Sequence, residues 1–124
     1  MVNSQFFSLN TDPMLACPCC KECKLDPYLL EKLDAARSLA GVPFTINSGY
    51  RCAEHNQAVG GKPNSSHQGG YAVDIAADNS PQRAAILRGL IMAGFERIGI
   101  ADNFIHVDID PEKLERFGPV TWVY

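Results

Sequence analysis

The chain has 124 residues, 46% of them hydrophobic and 20% charged, which excludes a disordered polypeptide and points to a single domain over 1–124. Lys plus Arg number 11 and Asp plus Glu 14, a net charge of −3, without the basic footprint of a general nucleic-acid binder or of a protein drawn to anionic membranes. No apolar run approaches the roughly 18 residues that span a bilayer.

Residues 1–13 carry no Lys or Arg and no apolar stretch, so they do not read as a secretory signal. The expectation is synthesis in the cytoplasm. Residues 1–24 read as an irregular arm. It holds four of the five cysteines, Cys17, Cys19, Cys20 and Cys23, with Cys52 standing apart. Zinc usually takes two Cys pairs well separated in sequence. Cys19 and Cys20 are adjacent and do not easily point at one ion, so the expectation is a thiol-rich turn with one pair that oxidises easily.

Asp26-Pro27 reads as an N-cap with proline at the first helical position. The helix carries Leu29, Leu30, Leu33, Ala36 and Ala40 at helical spacing and stops at Gly41. Residues 43–47 predict a short strand with Phe44 and Ile46 on one face. Residues 48–51 form a turn, 53–59 a short helix and 62–66 a loop. Residues 71–76 predict a second strand. Ser80-Pro81 opens another helix, with Ala84, Leu87, Leu90 and Ile91 on its apolar face. Residues 95–100 and 104–109 predict strands around an Ala-Asp-Asn turn, and 122–124 a last edge strand. The fold class is α+β: a mainly antiparallel sheet of about four strands, flanked by two to three helices. No long apolar stripe is left over, so a monomer is expected.

The chemistry gathers at two places. His67 and Asp74 lie seven residues apart with Gly69-Gly70 between them, so the chain can turn back and aim both side chains at one point. On the strand Phe104-Ile-His106-Val-Asp108, alternation puts His106 and Asp108 on the same face. Two histidines and a carboxylate from different strands make a plausible metal-ligand set, leaving a fourth tetrahedral position for water as in catalytic zinc sites. His55 reads as an ordinary surface histidine.

These residues resemble the motif of the M15 family of zinc peptidases, the D-alanyl-D-alanine carboxypeptidase and peptidoglycan-endopeptidase group. The family pattern Ser-x-His-x-x-Gly-x-Ala-x-Asp is matched by Ser65, His67, Gly70, Ala72 and Asp74, and the later histidine by His106. Ile46-Asn-Ser-Gly-Tyr-Arg51, then Asn56 and Gly60-Gly61, is similar to the segment that precedes the zinc motif. Phe104 to Asp108 looks like the small single-domain branch.

The resemblance implies one catalytic Zn2+ held by His67, Asp74 and His106, with Arg51 gripping a substrate carboxylate or the carbonyl beside the scissile bond. Ser65, Tyr50 and Tyr71 are candidate substrate contacts. Many members carry Asp or Glu three residues before the second histidine; here Asn103 stands there and cannot take a proton. Asp108 is the first choice for general base and Asp102 the second, with Glu96 or a metal-bound hydroxide as further alternatives. The implied substrate is a stem or cross-link peptide of peptidoglycan, with no nucleic-acid or membrane partner. The implied setting is a phage or prophage endolysin that reaches the wall after release. The rivals are a catalytically weak wall-binding zinc module and a virion component.

Overall fold

The computed structural model describes residues 4–124, in which a mixed five-stranded sheet is packed against helices, an α+β arrangement. In chain order the elements are a 3-10 turn (Pro13–Leu15), α1 (Pro27–Ala40), β1 (Ile46–Ser48), α2 (Ala53–Ala58), β2 (Ala72–Ala76), α3 (Ser80–Met92), β3 (Arg97–Ile100), β4 (Phe104–Asp108), α4 (Pro111–Phe117) and β5 (Val120–Val123). The sheet order is β1-β2-β4-β3-β5. All pairings are antiparallel except β3 with β5, which is parallel.

The sheet is mainly antiparallel, as expected, and its one parallel pair follows from α4, a helix absent from the sequence-based expectation. β4 runs opposite to β3; α4 then reverses the chain, so β5 returns in the direction of β3 and adds to its free edge. The signal for α4 repeats that for α1. Asp110 precedes Pro111 and its carboxylate accepts from the backbone N–H of Glu112 and Lys113, as Asp26 accepts from that of Tyr28.

Alternation along the strands sorts the two faces of the sheet. Val73, Ile75, Ile98, Ile105 and Val107 point to the core, where they meet Leu29, Leu30, Leu33, Ile86 and Leu90 from α1 and α3. The buried face of α3 is Ile86, Gly89 and Leu90, whereas Ala84 and Ile91 are exposed. The predicted stripe is therefore rotated. Gly89 sets the true face: a Cβ there would run into the Ala36 carbonyl, so α1 and α3 close on the one residue without a side chain.

The arm is irregular apart from its 3-10 turn, and its residues 1–3 lie outside the described residues. It is nonetheless anchored. Asp34 accepts from Ser4 Oγ at 2.7 Å and from the backbone N–H groups of Gln5 and Phe6, while Phe7, Leu15 and Cys17 enter the core. Among the described residues, no helix is long and apolar enough to cross a membrane.

Candidate active site

The other sheet face carries the polar residues, and register places them in rows. One row runs Ser48, Asp74, His106, Gly99, Trp122 across the sheet. The next runs Ala72, Asp108, Arg97, Val120. Gly99 lets Trp122 lie across its strand, since a Cβ there would sit 2.5 Å from the indole nitrogen. The indole thus comes within 5.5 Å of the His106 ring, centroid to centroid. His67 arrives from the loop before β2, held by backbone bonds from Arg51 and Gly70 to its carbonyl.

His67, Asp74 and His106 converge, their ligating atoms all within 4.8 Å of one another. His67 Nε2 lies 3.2 Å from Asp74 Oδ1 and His106 Nδ1 3.0 Å from the same oxygen. The opposite nitrogen of each ring is already engaged by an acceptor. His67 Nδ1 is 2.8 Å from the Gly49 carbonyl, and His106 Nε2 is 2.8 Å from Asp108 Oδ2. With those nitrogens donating, both neutral rings present lone pairs to a carboxylate oxygen. Three acceptors facing one another need a cation between them, so the donor set fits a divalent metal. Two imidazoles and a carboxylate suit zinc, and three protein ligands leave a position open.

Electrostatics agree. Burial alone would raise Asp74, but hydrogen bonds and charge from His106 and His67 hold it well below the usual carboxylate range. Burial alone would lower His106, but Asp108 and Asp74 raise it. Asp108 is raised by burial but lowered by more through His106, Arg97 and the Asp110 N–H.

A cavity of about 740 Å³ opens over this cluster, lined among others by Arg51, Lys62, Ser65, Ser66, Lys113, Phe104, Phe117, Trp122 and Tyr124. Arg51 is braced by Ser48 Oγ at 3.3 Å from Nε, Asn56 Oδ1 at 3.3 Å and Asp74 Oδ2 at 3.8 Å. Buried Asn56 also donates to the Lys62 carbonyl at 2.7 Å, tying Arg51 to the next loop. Ser65 Oγ accepts from the His67 N–H. Lys113 Nζ lies 2.8 Å from Ser66 Oγ, which donates to Asp110 Oδ2.

Asp108 also lines this cavity, whereas the remaining residues named from the sequence lie elsewhere. Tyr50 is buried in the core at 8% exposure and does not line the cavity. Tyr71 lines a second cavity of about 410 Å³, which shares Ser65 with the first. Asp102 and Glu96 do not line the main cavity. The Asp102 backbone carbonyl accepts from Arg83 in the β3–β4 turn. Asp108 does share a face with His106, but Oδ2 meets the His106 nitrogen turned away from the cluster. Its Oδ1 accepts from Arg97 Nε at 2.8 Å and from the Asp110 N–H at 3.1 Å. Neither preferred carboxylate stands free beside the cluster. Arg97, Lys113, Ser66, Trp122 and Tyr124 were not singled out from the sequence.

An open centre of nitrogen and oxygen ligands on the floor of a cavity defines a catalytic type of metal site. The sequence matches the family described as Peptidase M15 over residues 9–108. The chain belongs to that family and is a zinc-dependent metallopeptidase. No curated protein gives a significant match.

Proposed function

We propose that this peptidase hydrolyses peptide bonds in the stem or cross-link peptides of bacterial peptidoglycan. The observation that carries the reading is the company the His67–Asp74–His106 cluster keeps. Arg51, Lys62 and Lys113 share its cavity with four aromatic rings. Such a lining suits a peptide with free carboxylates.

In this reading His67, Asp74 and His106 hold the ion. When bound, zinc supplies Lewis acidity, polarising a carbonyl and easing deprotonation of water. Arg51 grips a substrate carboxylate or the carbonyl beside the scissile bond, its planar fork pre-set by Ser48 and Asn56. Asp108 fixes the tautomer of His106 so that Nδ1 keeps a lone pair for the cluster. It acts as a positioning residue rather than as the direct base expected from the strand pattern. Ser65 orients the His67 loop and joins the two cavities, so a longer substrate would pass Tyr71. A lytic phage or prophage setting is the finest part of the proposal and rests on the family resemblance.

Purified protein, assayed for zinc per chain and incubated with peptidoglycan with and without EDTA, tests the reading by product mass. EDTA-sensitive cleavage supports it, and the product masses separate carboxypeptidase from endopeptidase. One observation favours a second reading, wall recognition without turnover: both Asp108 oxygens are committed, and Asp102 lies outside the cavity. Zinc binding with no cleavage of any wall type would select it.

A further inference from the structure

We propose that Cys17, Cys20 and Cys52 form a second metal site that takes zinc and fastens the N-terminal arm to the segment carrying Arg51. The three sulfurs lie within 4.8 Å of one another, and Cys17 Sγ is 3.6 Å from Cys52 Sγ. Zinc–sulfur bonds of about 2.3 Å in a tetrahedron put neighbouring sulfurs roughly 3.8 Å apart. The thiols are thus near that spacing, with little rearrangement required.

The local chain has the form such a site needs. Cys17 and Cys20 are a Cys-x2-Cys pair, and Cys52 supplies the second chain segment that the arm alone lacks. The adjacency of Cys19 and Cys20, an objection when the arm is read by itself, matters less once the third ligand comes from elsewhere. The loop is wound tightly: Lys21 N–H donates to the Cys17 carbonyl at 2.8 Å, and Cys17 N–H to the Glu22 carbonyl at 2.8 Å. Lys21 accepts a left-handed φ of 66° to do so. His55 N–H donates to Cys52 Sγ at 3.4 Å. Such a donor is an outer contact of the kind that orients a metal-bound thiolate. Three soft sulfurs favour zinc over magnesium or calcium.

Location gives the site its purpose. Cys52 directly follows Arg51. Tyr50 N–H donates to the Leu15 carbonyl at 3.0 Å, and Arg51 N–H to the His67 carbonyl at 3.2 Å. A metal here would hold the arm, the Arg51 turn and the His67 loop as one unit.

The test uses the full chain purified under reducing conditions and reconstituted with Zn2+ or Co2+. The expected result is about two zinc ions per chain, as expected for one open and one thiolate-rich site. Sulfur-to-cobalt charge-transfer absorption should appear, survive in His67→Ala/His106→Ala and vanish in Cys20→Ser. Cys20 is exposed, so that variant should fold, which far-UV circular dichroism checks. Absence of charge transfer with Cys17, Cys20 and Cys52 all open to a thiol reagent would overturn the proposal. So would a Cys17–Cys52 disulfide found by mass spectrometry in the cobalt-reconstituted protein. Because the sulfur signal is read with the histidine site disabled, failure here leaves the peptidase reading untouched, and the converse holds.

Discussion

Replacing Asp108 with Asn separates a positioning role from direct proton transfer. Asp108 Oδ1 takes the Arg97 and Asp110 donors, and Oδ2 faces His106 Nε2. An amide has only one oxygen. If that oxygen stays with Arg97 and Asp110, the NH2 group faces His106 Nε2, which must then accept. The ring proton moves to Nδ1 and points at Asp74, the wrong tautomer for a metal ligand. If the amide turns over, donors confront donors at Arg97. The first arrangement costs less, so Asp108→Asn should weaken zinc binding by about 10–100-fold, the usual range for an outer partner of a ligand histidine. The metal-free protein should also lose stability. Removing one partner of a buried ion pair costs about 3–5 kcal/mol, and the retained amide oxygen puts this case at or below the lower end. At roughly 3–5 °C per kcal/mol for a chain of this length, Tm should fall by about 10 °C. Zinc affinity is measured by competition with a chromophoric chelator, Tm by calorimetry on apo protein, and turnover at saturating zinc. Much of the turnover should return when zinc saturates. Unchanged zinc affinity with turnover abolished at saturation would refute the positioning role and make Asp108 the base.

Much of the site was legible because its ligands are local. His67 and Asp74 lie either side of one turn, and His106 is two residues from Asp108 on a strand where alternation decides facing. What escaped depends on strand register, which a single sequence does not reveal. Arg97 lies inside the predicted strand 95–100 with nothing to single it out until β3 pairs with β4 and sets it opposite Asp108. Trp122 reads as the beginning of an edge strand until β5 adds parallel to β3 and Gly99 clears the space to His106. Tyr50 misled for the opposite reason: it adjoins Arg51 in the motif, but neighbours in a turn point in different directions, and its ring went to the core. Helix α3 was found but its face was misjudged. The apolar stripe of α3 does not decide which face is buried, because α1 packs against Gly89. Cys52 stands apart in the sequence, and only the fold brings it to Cys17.

The remaining expectations concern the substrate grip, the metal and two glycines. Arg51→Ala should lower kcat/KM by about 10–100-fold, in line with the roughly 1.5–3 kcal/mol of a hydrogen bond to a charged group, with zinc content unchanged; loss of zinc instead would show that Arg51 only supports Asp74. Chelation should abolish cleavage and lower Tm. Zinc at 100 times its dissociation constant should restore about 2.7 kcal/mol of stability, measured by calorimetry; magnesium should not substitute. Gly89→Ala forces a methyl group against the Ala36 carbonyl and Ala40, so denaturant unfolding should show a loss of about 1–3 kcal/mol with zinc affinity intact. Gly99→Ala tests the polar row itself. Its new Cβ would meet the indole of Trp122, the one tryptophan in the chain, so intrinsic fluorescence reports the displacement without interference. If the indole helps to wall the cavity beside His106, its emission should shift and KM should rise while zinc stays bound. An emission shift with KM and kcat both unchanged would show that Trp122 packs on the sheet without shaping the substrate site.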